Sequence, residues 1–170
     1  PSRDFKLPGV ETSAGSLGQG LGIAIGMALS AKMDYKNYRT YCVMGDGELQ
    51  EGSVWEAAMA ASNYRLDNLC AIIDRNKLQI DGSTENVMAL EKKKKKWSSF
   101  GWNVVEIDGH DHNDIIDAFA IARATIGQPT LVLANTVMGK GVKSIENDNK
   151  WHGKVPSKDD LDKFLNELYC

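Results

Sequence analysis

A chain of 170 residues with 42% hydrophobic and 25% charged residues has the composition of a globular domain, and its length suits one α/β domain with a true core and no second one. A net charge of −3 speaks against nucleic acid or a membrane surface as the main partner, and no apolar run approaches the roughly 18 residues of a membrane span. The opening Pro1-Ser2-Arg3-Asp4-Phe5-Lys6 lacks a secretory apolar segment; Cys42, Cys70 and Cys170, two of them in apolar runs, point to a reducing, cytoplasmic setting.

In chain order, Thr12 to Gly20 (Thr-Ser-Ala-Gly-Ser-Leu-Gly-Gln-Gly) leads into Leu21–Ala31, a small-residue apolar segment that predicts a tightly packed helix. Glycine costs a helix about 1 kcal/mol against alanine, so these glycines are expected to permit close approach of a helix or ligand. A dinucleotide phosphate loop is excluded. Gly18, Gly20 and Gly22 lack the Gly-x-Gly-x-x-Gly spacing, and no strand precedes them.

Thr40–Val43 and Leu69–Ile72 are short apolar runs suited to buried parallel strands. Each ends in a polar cluster, Met44–Gly52 and Ile73–Gly82. Ligands of open α/β sheets bind outside the carboxyl ends of the strands. Gly45 and Gly47 flank Asp46, so the chain can turn sharply and leave one carboxylate beside backbone N–H groups. Asn76, 30 positions on (76 − 46), offers an amide oxygen from the next strand end. A carboxylate, an amide oxygen and a backbone carbonyl form a hard-oxygen set suited to Mg²⁺ held against phosphates. Gly45-Asp46-Gly47 alone would read as an ordinary turn; both clusters at strand ends favour the ligand site.

Ser53–Ser62 shows a helical stripe at 54, 55, 58, 59 and 61, with its N-terminus, and hence its positive dipole end, directed at the Asp46 loop. Glu51 could serve there simply as a first-turn acid. Met88–Phe100 reads as a helix with Leu90, Trp97 and Phe100 on one face. The run Lys92–Lys96 reads as its solvated side, with Lys93 or Lys94 on the apolar stripe snorkelling outward. Asn103–Ile107 is a third strand. Asp111 or Asn113 can cap a helix with a stripe of Ile115, Ile116, Phe119, Ala120, Ala122 and Ala124. The pair His110 and His112 lacks further ligands at zinc spacing, so loop and capping roles are preferred. Pro129–Ala134 is a fourth strand, and Pro156–Leu168 a closing helix. Strands alternating with helices from residue 40 onward predict an α/β fold, a parallel sheet with helices on both faces.

Gly45-Asp46-Gly47 followed by Asn76 resembles the thiamine diphosphate signature. Gly-Asp-Gly-Glu-Leu-Gln-Glu-Gly at 45–52, Asp-Arg-Asn-Lys-Leu-Gln-Ile-Asp-Gly at 74–82, the Thr12–Gly20 stretch, and Thr136–Val142 with Trp151-His152-Gly153 are all similar to transketolases. The likeness is greatest to the N-terminal subunit of those encoded as two chains, and it covers essentially the whole chain. It implies a three-layer thiamine-diphosphate-binding fold, with residues 1–170 a single diphosphate-binding domain lacking the family's upstream N-terminal segment.

The implied activity is transfer of a two-carbon ketol unit between sugar phosphates, with thiamine diphosphate and Mg²⁺, or another divalent cation such as Ca²⁺ or Mn²⁺. By the same resemblance Asp46, Asn76 and the Leu78 carbonyl would hold the metal, and Gly45 and Gly47 would face the diphosphate. Gly15 and Leu17 would line the cofactor rings. His152 would act on diphosphate or donor substrate, and Glu51 would join a carboxylate cluster linking two active sites across a subunit interface. Family members often carry Lys where Met138 stands. The implied partner is a C-terminal subunit whose pyrimidine-binding domain brings the activating glutamate, in a dimer or heterotetramer, with neither nucleic acid nor membrane involved. Three other readings share part of the pattern: a deoxyxylulose-phosphate synthase, the thiamine component of a 2-oxo acid dehydrogenase, and a non-catalytic cofactor-binding scaffold.

Overall fold

The strands lie where the apolar runs predict them, and each runs one to three residues further toward the polar clusters. The computed structural model describes residues 7–169; Cys170 and the Pro1–Lys6 opening lie outside them. Strands β1 (Thr40–Gly45), β2 (Leu69–Arg75), β5 (Asn103–Asp108) and β6 (Thr130–Asn135) form one sheet in the order β1-β2-β6-β5. Every pairing is parallel, in a register that aligns Gly45 with Asp74, Arg75 with Asn135, and Asp108 with Asn135. The strand ends carrying the polar clusters therefore share one edge. A two-residue-strand hairpin, β3 (Leu78–Gln79) and β4 (Gly82–Ser83), stands apart from the sheet.

Alternation along the strands sorts the core into two layers. Leu69, Ala71 and Ile73 of β2, with Leu131 and Leu133 of β6, face helices α1 (Gly20–Met33), α2 (Gly52–Asn63) and α4 (Lys93–Ser99). Cys70, Val132, Ala134 and Ile107 face α5 (His112–Ala124) on the opposite side. The α/β expectation of helices on both faces is met. Cover on the second face is narrower, since Val43 of β1 stays 73% exposed while Tyr41 meets Phe119 edge-on at 5.6 Å. Along the outer edge of β1 runs a groove of about 990 Å³, bounded by Val10–Ala14, Ala24 and Met27. No helix among the described residues is long and apolar enough to cross a membrane.

Helix α1 extends the expected segment by a residue or two at each end, and its buried face is Leu21, Ala24, Ile25, Ala28 and Ala31. In α5 the cap is Asp111, whose carboxylate accepts the Asn113 and Asp114 N–H groups. Its buried stripe is Ala118 and Ala122 flanked by Ile115 and Phe119. Ile116, expected inside, is 62% exposed, because one residue past Ile115 the helix has turned about 100°. Helix α6 (Lys158–Tyr169) packs through Phe164 against Trp151, with centroids 5.1 Å apart.

The stretch read as one helix, Met88–Phe100, is corrected. Only Lys93–Ser99 is helical there; a separate turn of helix, α3 (Thr84–Val87), precedes it, and the backbone is extended at Met88 and Lys92. The Glu85 carboxylate accepts the N–H groups of Leu90 and Glu91 at 3.2 and 3.4 Å. That side chain competes with helical hydrogen bonding for those donors. Leu90, Trp97 and Phe100 still reach the same core, where Trp97 is fully buried and meets Trp102 edge-on at 4.8 Å.

The lysine run is corrected with it. Lys93 does not snorkel outward. It is 1% exposed and its Nζ lies 3.1 Å from Glu91 Oε1 and 3.4 Å from Glu85 Oε1. A buried ammonium requires paired charge, and these two carboxylates provide it. Lys96 donates to the Leu90 carbonyl at 3.0 Å, which leaves Lys92, Lys94 and Lys95 on the surface.

Candidate functional site

Asp46 follows the last residue of β1, at the start of a 3₁₀ turn over Gly47–Gln50. Its side chain is 1% exposed. Oδ2 accepts Arg75 Nη1 at 2.8 Å and the Lys77 N–H at 2.8 Å. Oδ1 is buried and has no hydrogen-bond partner among the described residues. A buried carboxylate oxygen without a donor is costly, and a divalent cation is one partner whose chemistry would satisfy it.

The second strand end is locked against the first. Lys77, at a left-handed φ of 67°, donates its N–H to Asp46. Asn76 Oδ1 accepts the Leu78 N–H at 2.9 Å, and its Nδ2 lies 3.5 Å from Asp74 Oδ2. The other oxygen of Asp74 accepts the Thr136 hydroxyl, so Asn76 is oriented through Asp74 from the loop that follows β6. A Cβ on Gly47 would stand 3.2 Å from Gln79 Cβ, and Gln50 Nε2 donates to Gln79 Oε1 at 2.8 Å. Asp46, Gly47, Asn76 and Leu78 are thus brought together. The hairpin that carries Leu78 was not anticipated; Asp81-Gly82, with Gly82 at φ 131°, was its turn signal.

The glycine-rich loop before α1 meets the same turn. Gly18 donates its N–H to Glu48 Oε1 at 2.9 Å, and Gly45 donates to Glu48 Oε2 at 3.3 Å. Ser53 Oγ donates to the Gly18 carbonyl at 3.1 Å. Gly15 and Leu17, expected against a cofactor, are exposed. Glu51, at the cap of α2, is exposed and its side chain makes no capping hydrogen bond.

His152 is exposed at the end of a short 3₁₀ turn, Asn149–Trp151. That turn is tied to the hairpin by Asn149 Nδ2, which donates to the Ile80 carbonyl at 2.9 Å. Among the described residues no hydrogen bond joins the His152 ring to Asp46 or Asn76. His110 Nε2 accepts the Val137 N–H at 2.8 Å and so steadies the Thr136–Val142 loop, in which Met138 is half-buried.

Four charged residues around Asp46 were not assigned to the site from sequence: Arg75, Glu48, Glu91 and Lys93. Arg75 sits 5% exposed between Asp46 and Glu91, with Nη2 2.7 Å from Glu91 Oε1. That hydrogen bond, followed by the one from Lys93, pulls Glu91 from its ordinary 4.5 down to about 2. The usable signal was an arginine closing a strand that opens on the apolar run Leu69–Ile73.

Residues 3–168 match the family described as transketolase, thiamine diphosphate binding domain. An apulose-4-phosphate transketolase subunit from Phocaeicola vulgatus is 48% identical over 164 residues, covering 96% of this chain and 58% of that protein. Human transketolase is 42% identical over 160 residues, covering 94% of this chain and 25% of that protein. The solved transketolase of Campylobacter jejuni superimposes with a TM-score of 0.86 at 33% identity, over 95% of this chain and 26% of that one. The chain therefore spans 58% of the first of these relatives and about a quarter of the other two.

Proposed function

The chain belongs to the transketolase thiamine diphosphate binding family, and on that premise we propose that it is the diphosphate-binding half of a transketolase that moves a two-carbon ketol unit between sugar phosphates. One observation carries the cofactor reading: Asp46 Oδ1, buried and without a donor, beside an oxygen-bearing loop. Asp46, Asn76 and the Leu78 carbonyl would hold Mg²⁺, or Ca²⁺ or Mn²⁺ in its place. Gly45 and Gly47 would let the backbone approach the diphosphate, and Gly15 and Leu17 would contact the rings. Bound thiamine diphosphate supplies the carbanion chemistry. The chain's own residues bind and orient it.

His152 would hydrogen-bond to the diphosphate or to a donor hydroxyl. Its exposure and its tether to the hairpin support that role. Glu51, exposed at the cap of α2, would pair with carboxylates of a neighbouring protomer.

The activating glutamate would come from a C-terminal subunit carrying a pyrimidine-binding domain, in a dimer or heterotetramer. The name of the Phocaeicola relative, which makes it one subunit of a transketolase, supports a two-chain enzyme. Buried free thiols at Cys42 and Cys70 suit a reducing cytoplasm.

The test is glycolaldehyde transfer between sugar phosphates, with Mg²⁺ and thiamine diphosphate, for this chain with and without a candidate C-terminal subunit. Turnover is expected only from the mixture. Equal turnover by the lone chain would overturn the two-chain reading, and absence of cofactor binding in the mixture would overturn the cofactor reading.

A further inference from the structure

We propose that Arg75 is a positioning residue for Asp46, and that Glu91 and Lys93 fix Arg75 so that the buried carboxylate presents one chosen oxygen to a divalent cation. The inference rests on the cation site proposed above.

Arg75 closes β2 with its guanidinium buried, and the two arms of its fork point in different directions. Nη1 meets Asp46 Oδ2 at 2.8 Å and Nη2 meets Glu91 Oε1 at 2.7 Å. The Lys77 N–H takes a second place on the same Asp46 oxygen. With two donors on Oδ2, the carboxylate cannot rotate without breaking both bonds. Oδ1 is then the oxygen left over, and it is the orphaned one.

Buried polar groups are as a rule hydrogen-bonded, and here one oxygen of the ion-paired carboxylate is left over. The charges around it also fall short of balance: Asp46, Glu85 and Glu91 stand against Arg75 and Lys93. Three carboxylates share two cations, so an incoming cation meets uncompensated negative charge. Lysine at position 75 would keep the charge yet could not span both carboxylates, since an ammonium is a compact point charge and a guanidinium a planar fork.

The experiment titrates Mn²⁺ into the parent chain, R75K and R75M at saturating thiamine diphosphate, following free Mn²⁺ by electron paramagnetic resonance. Melting temperatures without metal are recorded beside it. Residues that orient metal ligands typically affect metal affinity by about 10- to 100-fold, so R75M is expected to need that much more Mn²⁺ for half-saturation. R75K should show a smaller rise, about threefold or more. Once Mn²⁺ saturates each variant, thiamine diphosphate affinity should return to near the parent value. Unchanged Mn²⁺ half-saturation in R75K overturns the proposal whatever the melting temperatures, and R75K decides alone if R75M fails to fold. A parent chain that takes up no Mn²⁺ with the cofactor overturns the cation site itself, a result distinct from a parent that binds and variants that match it.

Discussion

The carboxylate of Glu48 accepts the Gly18 N–H at 2.9 Å through one oxygen and the Gly45 N–H at 3.3 Å through the other. One side chain on the turn after Asp46 thereby fastens the glycine-rich loop of α1 to the end of β1. Hydrogen bonds to a charged acceptor contribute about 1.5 to 3 kcal/mol each. Glu48→Gln, with one oxygen in place of two and no charge, should lower stability by about 1 to 2 kcal/mol. Urea denaturation measures it, and an unchanged midpoint would mean the fastening is not made in solution.

Gly18→Ala should be worse tolerated than the exposed Gly22→Ala. Gly18 has φ 80°, and a Cβ there would lie 2.4 Å from Ser53 Oγ and 2.8 Å from Glu51 Cβ. Alanine at positive φ and overpacking against a neighbouring element together cost about 2 kcal/mol or more. At Gly22 no atom of the described residues stands within 4 Å of the added Cβ, and alanine should gain helix propensity. Thermal melts that rank the two substitutions in the opposite order would contradict the packing described here.

Asp46→Ala should abolish Mg²⁺-dependent binding of thiamine diphosphate. It removes the orphaned oxygen, and it also strips a buried arginine of a partner, a loss of about 3 kcal/mol or more. Calorimetry of the parent and variant, each with Mg²⁺ and with EDTA, separates the two effects. Binding by the variant that matches the parent with Mg²⁺ would exclude Asp46 as a ligand.

His152→Ala should change stability by less than about 0.5 kcal/mol, as exposed positions do. In a reconstituted complex kcat/KM should nevertheless fall by at least about tenfold, the scale of one positioned hydrogen bond in a transition state. Parent-like kcat/KM would return His152 to a surface loop role.

The Glu91 carboxylate, held down to about 2 from 4.5 by Arg75 and then Lys93, links the network to acid stability. A folded value below the unfolded one means that the unfolded chain binds more protons as the pH falls below about 4.5. The stabilisation is therefore complete above that pH and lost on the way down through about 2. Half of the side chain is exposed, so solvent screening keeps the effect modest. Glu91→Gln should flatten the decline of the urea midpoint between pH 5 and 3. Parallel declines in the two proteins would show that the pairing adds nothing there.

The four parallel strands, the helices at α1, α2, α5 and α6, and the placing of the polar clusters after β1 and β2 at neighbouring strand ends were legible in the sequence. Each depends on local pattern: apolar runs of strand length, helical periodicity, and polar clusters placed where strands must end. The cap of α5 was narrowed there to Asp111 or Asn113, and in the fold it is Asp111, whose carboxylate accepts the Asn113 N–H. Tertiary structure alone decided the rest. Helical periodicity does not tell Met88–Lys92 to stay out of a helix; Glu85 takes the N–H groups of Leu90 and Glu91, and Arg75 draws in Glu91 from sixteen residues away. Periodicity likewise cannot pick one lysine from five in a row, because every one of them has the same preference for water. Lys93 is buried only because two carboxylates have already been brought to its position by contacts with β2. The oxygen that Asp46 leaves open is set in the same way, by an arginine on the neighbouring strand and a backbone turn at Lys77, through hydrogen bonds that exist only once the sheet has formed.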